Sequence, residues 1–158
     1  MTSRALVCLP TYDERENVEA ITRAILAATP DVDILVIDDN SPDGTGEIAD
    51  RIAAREPRVH VLHRPGKQGL GKAYLAGFAW ALARGYALVL EMDADFSHNP
   101  AYLPRMLAAA READLVLGSR NVSGGGTVNW GIGRRFLSRA GPSASSRSSS
   151  AAIRAGLA

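Results

Sequence analysis

Leu88-Val89-Leu90-Glu91-Met92-Asp93-Ala94-Asp95 is an apolar run that ends in two carboxylates with one small residue between them. In a strand, residues i and i+2 share a face. If strand geometry persists to its end, Asp93 and Asp95 project together from the carboxyl tip. In an open α/β sheet, ligands bind outside the carboxyl ends of the strands. Two like charges so close need compensation, and hard divalent cations such as Mg²⁺ or Mn²⁺ take carboxylate oxygens. Such a cation would bridge the protein to a substrate's phosphates. The plainer alternative is a pair of solvated loop acids.

The flanks support a strand. Upstream, Leu75, Phe78, Ala79 and Leu82 form one apolar stripe at helical spacing, and Gly85 fits the helix C-terminal cap. Before that helix lies the glycine-rich loop Pro65-Gly66-Lys67-Gln68-Gly69-Leu70-Gly71-Lys72. Downstream, Leu103, Met106, Leu107 and Ala110 mark an amphipathic helix, and Leu115 to Ser119 reads as a fifth strand ending at Arg120. Toward the N-terminus, Ala5 to Leu9 is a short buried strand that Pro10 ends. The polar loop Thr11 to Glu16 follows, then a helix with Asn17 as N-cap and Val18, Ile21, Ile25 and Leu26 on one face. Ile34 to Ile37 is a second buried strand, ending in Asp38-Asp39. Asn40 to Gly44 is dense in turn formers, Asp43 among them, and Thr45 can cap the next helix. Val59 to Leu62 is a third strand. Apolar strands alternating with helices imply an α/β fold, a mostly parallel sheet with helices on both faces.

At 158 residues the chain has room for one domain with a sizeable core. A net charge of +1 gives no strong pull toward nucleic acid or anionic lipid. The single cysteine, Cys8, lies in an apolar run and reads as a small buried hydrophobe, not a nucleophile. Ala5 to Pro10 is too short for a signal-peptide core. Ala73 to Leu90 has the apolarity of a membrane span, but Arg84-Gly85 interrupts it and a helix followed by a strand explains it better. The sequence therefore reads as soluble. Gly141 to Ala158 is almost entirely Ala, Ser, Gly and Arg without a periodic stripe, the composition of a poorly ordered tail. The expected organisation is a domain over 1–139 and a low-complexity tail over 140–158, as if the chain were cut short or its reading frame changed.

Two chemistries compete for the loop motifs. Gly66-x-x-x-x-Gly71-Lys72 is one residue short of the P-loop of nucleotide-binding proteins. Ala73 stands where that pattern needs a hydroxyl for Mg²⁺, and the reading leaves the first two strand ends without a role. The rival reading uses three strand ends together. Leu9-Pro10-Thr11-Tyr12-Asp13-Glu14-Arg15-Glu16-Asn17, Val36 to Thr45, Gly69-Leu70-Gly71-Lys72-Ala73 and Asp93-Ala94-Asp95 closely resemble inverting family 2 glycosyltransferases. Phe96-Ser97-His98-Asn99-Pro100, Gly118-Ser119-Arg120, Gly124-Gly125-Gly126 and Asn129-Trp130 narrow the resemblance to the dolichol- or polyprenol-phosphate mannose synthases.

That resemblance implies a GT-A type, Rossmann-like nucleotide-sugar fold. It implies that Pro10, Tyr12 and Glu14 hold the guanine and ribose of GDP-mannose, with Ile37 and Asp39 at the second strand end. Asp93, Ala94 and Asp95 would meet the diphosphate, with Asp93 and Asp95 on a Mg²⁺ or Mn²⁺ cofactor. Arg120 would face the donor phosphates or the acceptor, and Asp95 and Arg120 would be the catalytic pair. The residue chemistry is compatible: Glu14 and Asp39 can accept from base N–H or ribose hydroxyls, and Tyr12 offers a stacking face or a loop anchor. Lys72 serves either a phosphate or a solvated helix start. His98 reads as a loop residue, and His60 and His63 have no assigned role. The implied reaction is inverting mannosyl transfer to a polyprenyl monophosphate at the cytoplasmic face of a membrane, by a cytoplasmic, peripheral enzyme. A membrane-anchoring partner or a further C-terminal segment would belong with it, and nucleic acid would not. The alternatives are transfer of another nucleotide sugar to a lipid phosphate, and a nucleotide-sugar-binding remnant without turnover. The family's later motif, Arg-Asp-x-Thr-x-Gly-Phe, does not occur here. The expectation is therefore poor transfer by the chain as written.

Overall fold

The computed structural model describes residues 4–118 and 151–154. In chain order the elements are β1 (Ala5–Thr11), α1 (Val18–Ala28), β2 (Val32–Asp38), α2 (Thr45–Ala53), β3 (Val59–His63), α3 (Leu70–Leu82) and β4 (Leu88–Glu91). A 3₁₀ turn (Pro100–Tyr102), α4 (Leu103–Ala109), β5 (Leu115–Leu117) and β6 (Ala151–Arg154) follow. Among the described residues the strands form one sheet in the order β3-β2-β1-β4-β6-β5. β1 to β4 run parallel, and β6 runs antiparallel between β4 and β5. The strand order turns around between β1 and β4. Their carboxyl ends therefore flank the crevice where such sheets bind ligands.

Strand alternation sends the apolar runs to two cores. Val7, Leu9, Ile34, Val36 and Leu90 face the α1, α2 and α4 side, packed with Val18, Ile21, Ile25 and Leu103. Leu6, Cys8, Leu35, Ile37 and Val89 face α3. Helices on both faces are as the sequence predicts. Cys8 is fully buried, and the loss of water pushes its thiol up to about 12, which suits an inert core residue.

Four local expectations change. β1 runs through Pro10 to Thr11. Cys8 O accepts from Met92 N at 3.1 Å, so Cys8, and Pro10 two residues on, face β4. β4 pairs with β1 only as far as Glu91 opposite Cys8. A proline missing its N–H is thus tolerated just beyond the shared ladder. The helix caps are the second change: Asn17 occupies the cap position of α1 but makes no side-chain cap bond there. Its amide donates to Glu14 Oε2 at 2.8 Å instead. Thr45 is the first residue of α2, and the cap is Gly44 at φ +91°.

The α3 stripe is the third change. Leu75 and Leu82 are 66% and 58% exposed, whereas Ala73, Gly77 and Ala81 are the residues α3 turns to the sheet. Small residues every fourth position let the helix sit close. A Cβ on Gly77 would lie 2.8 Å from both Cys8 Sγ and Ile37 Cδ1. Leu75 and Leu82 are left on the outside, while Tyr74, Phe78 and Trp80 are half-buried against the core.

The fourth change is β6, which falls inside the segment 140–158 assigned by composition to a tail. Ala151 to Arg154 pair with β4 on one side and β5 on the other, and Ala152 is fully buried. A slot between two strands supplies backbone partners on both edges, so small side chains suffice. The rest of that segment lies outside the described residues.

Candidate active site

Four strand ends and the loops after them meet at the carboxyl edge. Asp38 closes β2 and is 2% exposed. Thr11 Oγ1 donates to its Oδ1 at 3.2 Å, and Ser41 donates through Oγ to Oδ1 at 2.6 Å and through N to Oδ2 at 3.2 Å. Asp38 therefore ties the tips of β1 and β2 together. Its neighbour Asp39 pairs with Arg64, Nη1 to Oδ1 at 2.7 Å, with both side chains more than nine-tenths buried. Arg64 follows β3, and its N–H donates to Asp38 O at 2.8 Å. A buried carboxylate beside a buried guanidinium is a fixed, compensated charge.

The β1 loop is braced against the β2 loop. Glu14 N donates to Thr45 Oγ1 at 3.0 Å, and Arg15 N to Asp43 Oδ2 at 3.0 Å. Asp43 Oδ1 in turn accepts from Thr45 N and Oγ1 at 3.0 and 2.6 Å. Desolvation opposes the Asp43 charge, but hydrogen bonds from Thr45 and Arg15 outweigh it and hold the carboxyl below its usual range. Tyr12 presents a ring with Lys67 Nζ 4.0 Å from its centroid.

At the β4 end, Asp93 is half-buried, Ala94 is buried and Asp95 is exposed. Tyr74 OH donates to Asp93 Oδ1 at 3.2 Å, Asp93 N donates to His98 Nδ1 at 3.3 Å, and Ser97 N donates to Asp95 Oδ1 at 2.9 Å. Glu91, half-buried two residues before, is raised above its usual value by desolvation and then by the Asp93 charge. Each of the β1, β2 and β4 loops holds one non-glycine residue in the left-handed region: Asp13 at φ +59°, Asn40 at +58° and Phe96 at +57°. Asp and Asn tolerate that conformation, and a bulky Phe does so at a cost. Of the three, Phe96 in the β4 loop is the strained one.

The glycosyl transferase family 2 model matches residues 6–154, nearly the whole chain. The chain belongs to glycosyl transferase family 2. The undecaprenyl-phosphate mannosyltransferase of Micrococcus luteus is 55% identical over 138 residues, covering 87% of this chain and 57% of that protein. The polyprenol monophosphomannose synthase of Mycolicibacterium smegmatis is 55% identical over 140 residues, 87% of this chain and 53% of that protein. The chain thus spans about half the length of the curated relatives it matches. Glucosyl-3-phosphoglycerate synthase from Mycobacterium tuberculosis, solved with Mn²⁺, UDP and phosphoglyceric acid, superposes with a TM-score of 0.60 at 19% identity. That match covers 97% of this chain and 56% of that one, a likeness of fold, the GT-A glycosyltransferase architecture.

Within this family 2 domain, Pro10, Tyr12, Glu14, Asp39, Asp93, Ala94 and Asp95 all lie at or just beyond the carboxyl ends of β1, β2 and β4. The Ile37 side chain does not reach the crevice. It is fully buried under α3 against Cys8 and Leu35. Arg120 lies outside the described residues. Lys72 is exposed in the first turn of α3. Asp38 read only as a strand-end acid, Asp43 as a turn former and Thr45 as a helix cap, Arg64 and Tyr74 had no assigned role, and these are the residues that hold the others in place. One signal was available for Arg64: it lies at a strand end, as Asp38-Asp39 and Asp93 do.

Proposed function

We propose that this chain carries the donor half of an inverting mannosyltransferase that uses GDP-mannose and a polyprenyl monophosphate. What supports the reading is the position of Tyr12, Glu14, Asp39, Asp93 and Asp95 just beyond the carboxyl ends of the neighbouring strands β1, β2 and β4, in a chain 55% identical to relatives named as polyprenol-phosphate mannosyltransferases. In this reading the Tyr12 ring stacks on guanine, which takes the place of the Lys67 ammonium. Glu14 and Asp39 accept from base N–H and ribose hydroxyls. Asp39 is suited to that role because Arg64 holds its carboxylate in a fixed place.

A divalent cation fits the β4 end. Among the described residues no group of three or more His, Cys, Asp or Glu side chains is arranged to hold an ion. Mg²⁺ and its analogues, however, are commonly bound by one or two carboxylates, with water and substrate phosphates completing the shell. Asp93 and Asp95 are hard oxygen donors at one strand tip and would hold such an ion jointly with the donor's diphosphate. The ion would supply charge neutralisation of the leaving group, a contribution of several kcal/mol. Arg120 is assigned to the same phosphates or to the acceptor, and with Asp95 it forms the proposed catalytic pair. No general base is required: a phosphate monoester has its second pKa near ~6, so the acceptor is largely dianionic at neutral pH. Orientation and charge stabilisation carry the step.

The acceptor places the reaction at a membrane surface, and we assign it to the cytoplasmic face. Among the described residues no helix is long and apolar enough to cross a membrane. The stretch from Ala73 to Leu90 divides into α3 and β4, as its interruption predicts. Calorimetry with GDP, GDP-mannose, UDP-glucose and ATP in Mn²⁺ tests the donor assignment. Tighter binding of GDP and GDP-mannose than of ATP is expected. Preference for ATP would overturn the reading in favour of a nucleoside-triphosphate loop at Gly66 to Lys72. Preference for UDP-glucose would move the donor to another nucleotide sugar.

A further inference from the structure

The glycine-rich loop before α3 has no part in the donor chemistry above, yet it launches the helix that delivers Tyr74. Gly69 turns the chain into α3 at φ +96°, and Tyr74 follows in the second turn. Val89 faces α3, so alternation along β4 puts Glu91, its last residue, on the same side, and Asp93 lies two residues beyond the strand. There the Tyr74 hydroxyl donates to Asp93 Oδ1 at 3.2 Å, while Asp93 N donates to His98 Nδ1 at 3.3 Å. Asp93 is therefore held from two directions, by a helix on one side and by the following loop on the other. Phe78, one turn on, stacks against Tyr74 with ring centroids 6.5 Å apart. Desolvation, and then the charges of Asp93 and Glu91, raise the phenol's pKa.

We propose that Tyr74 is a positioning residue for the divalent-cation site: its hydroxyl fixes the orientation in which Asp93 meets the ion. This role rests on the reading of Asp93 as a metal ligand. Outer partners of ligating carboxylates typically govern about 10- to 100-fold in metal affinity. The hydroxyl touches neither donor nor acceptor in this assignment and acts only through Asp93. The phenol ring is already packed, so removing the oxygen alone isolates the effect.

The test compares the full chain with Tyr74→Phe and Asp93→Asn, measuring GDP binding by calorimetry with and without Mn²⁺. Mn²⁺ binding in the presence of GDP is followed separately by electron paramagnetic resonance. The expected result for Tyr74→Phe is unchanged GDP affinity without metal, a Mn²⁺ enhancement reduced by roughly tenfold or more, and an altered Mn²⁺ spectrum at an unchanged melting temperature. The same Mn²⁺ enhancement in Tyr74→Phe as in the parent would overturn the proposal. So would an equal loss of GDP binding with and without metal, which would mark Tyr74 as a structural support only. If the phenylalanine variant melts early, Tyr74→Trp, which retains a ring and an N–H donor, is put through the same comparison. A parent chain that shows no Mn²⁺ enhancement, or one that Asp93→Asn leaves intact, instead defeats the metal-site reading, and the role of Tyr74 falls with it.

Discussion

Asp43 and Asp95 are acids in loops at the same edge of the sheet, and their environments give them opposite jobs. Asp43 accepts from Thr45 and Arg15 and joins two loops. Among the described residues Asp95 accepts a local bond from Ser97, and it is exposed. Asp95→Ala should therefore abolish the metal-dependent part of GDP binding and leave the melting temperature unchanged. Asp43→Ala should lower the melting temperature and weaken GDP binding equally with and without Mn²⁺. Calorimetry and thermal melts on the two variants separate these outcomes. The Asp43 carboxyl is held below its usual value, so its ionised form favours the folded state. That contribution is fully present above the unfolded pKa of about 3.9 and is lost as pH falls toward the lower, folded value. Asp43→Asn should be less stable than the parent at neutral pH, and the difference should shrink below about pH 4, read by urea unfolding across a pH series. In the sequence Asp43 looked like a turn former and nothing more. Its partner Thr45 is two residues on, at the start of the flanking helix, but Arg15 comes from a loop 28 residues away, which no local pattern shows.

Helix α3 shows how an element can be located from sequence while its orientation is misjudged. Its existence and place were legible from Leu75, Phe78 and Leu82, but large apolar residues were assumed to face the core. The sheet instead receives Ala73, Gly77 and Ala81. Close approach, not side-chain volume, decides which face is buried, and periodicity counted on large residues cannot register it. Two glycines of this helix should respond in opposite directions. At Gly77 a methyl group would meet Cys8 and Ile37 at 2.8 Å. Overpacking of that kind costs about 1–3 kcal/mol, against the roughly 1 kcal/mol that Ala gains over Gly in a helix. Gly77→Ala should therefore destabilise. At Gly71 a methyl group meets nothing within 4 Å and φ is not positive, so Gly71→Ala should stabilise by about 0.5–1 kcal/mol. Denaturant unfolding of the two variants checks both signs.

Across the whole molecule, stability should fall from one half of the sheet to the other. β1 is paired on both sides and wholly buried but for Pro10, whereas β5 has three residues bonded only to β6, with Leu115 and Leu117 54% and 63% exposed. Hydrogen exchange should show amides of β1 and β2 protected longest and those of β5 and β6 exchanging first. Addition of GDP and Mn²⁺ should slow exchange at the β1, β2 and β4 ends and leave β5 unaffected. The α/β order and parallel half were readable because each strand is a continuous apolar run with its own helix. β6 was not, because Ala151 to Arg154 owe their strand conformation to neighbours far away in sequence. Pro10 has a consequence at this same scale. The row of donors that β1 offers β4 stops at Cys8, since the next position facing that way is a proline. The two strands cannot zip further, and their tips part into a notch with no bonds to break. A ligand entering there need not break any β1–β4 ladder bond.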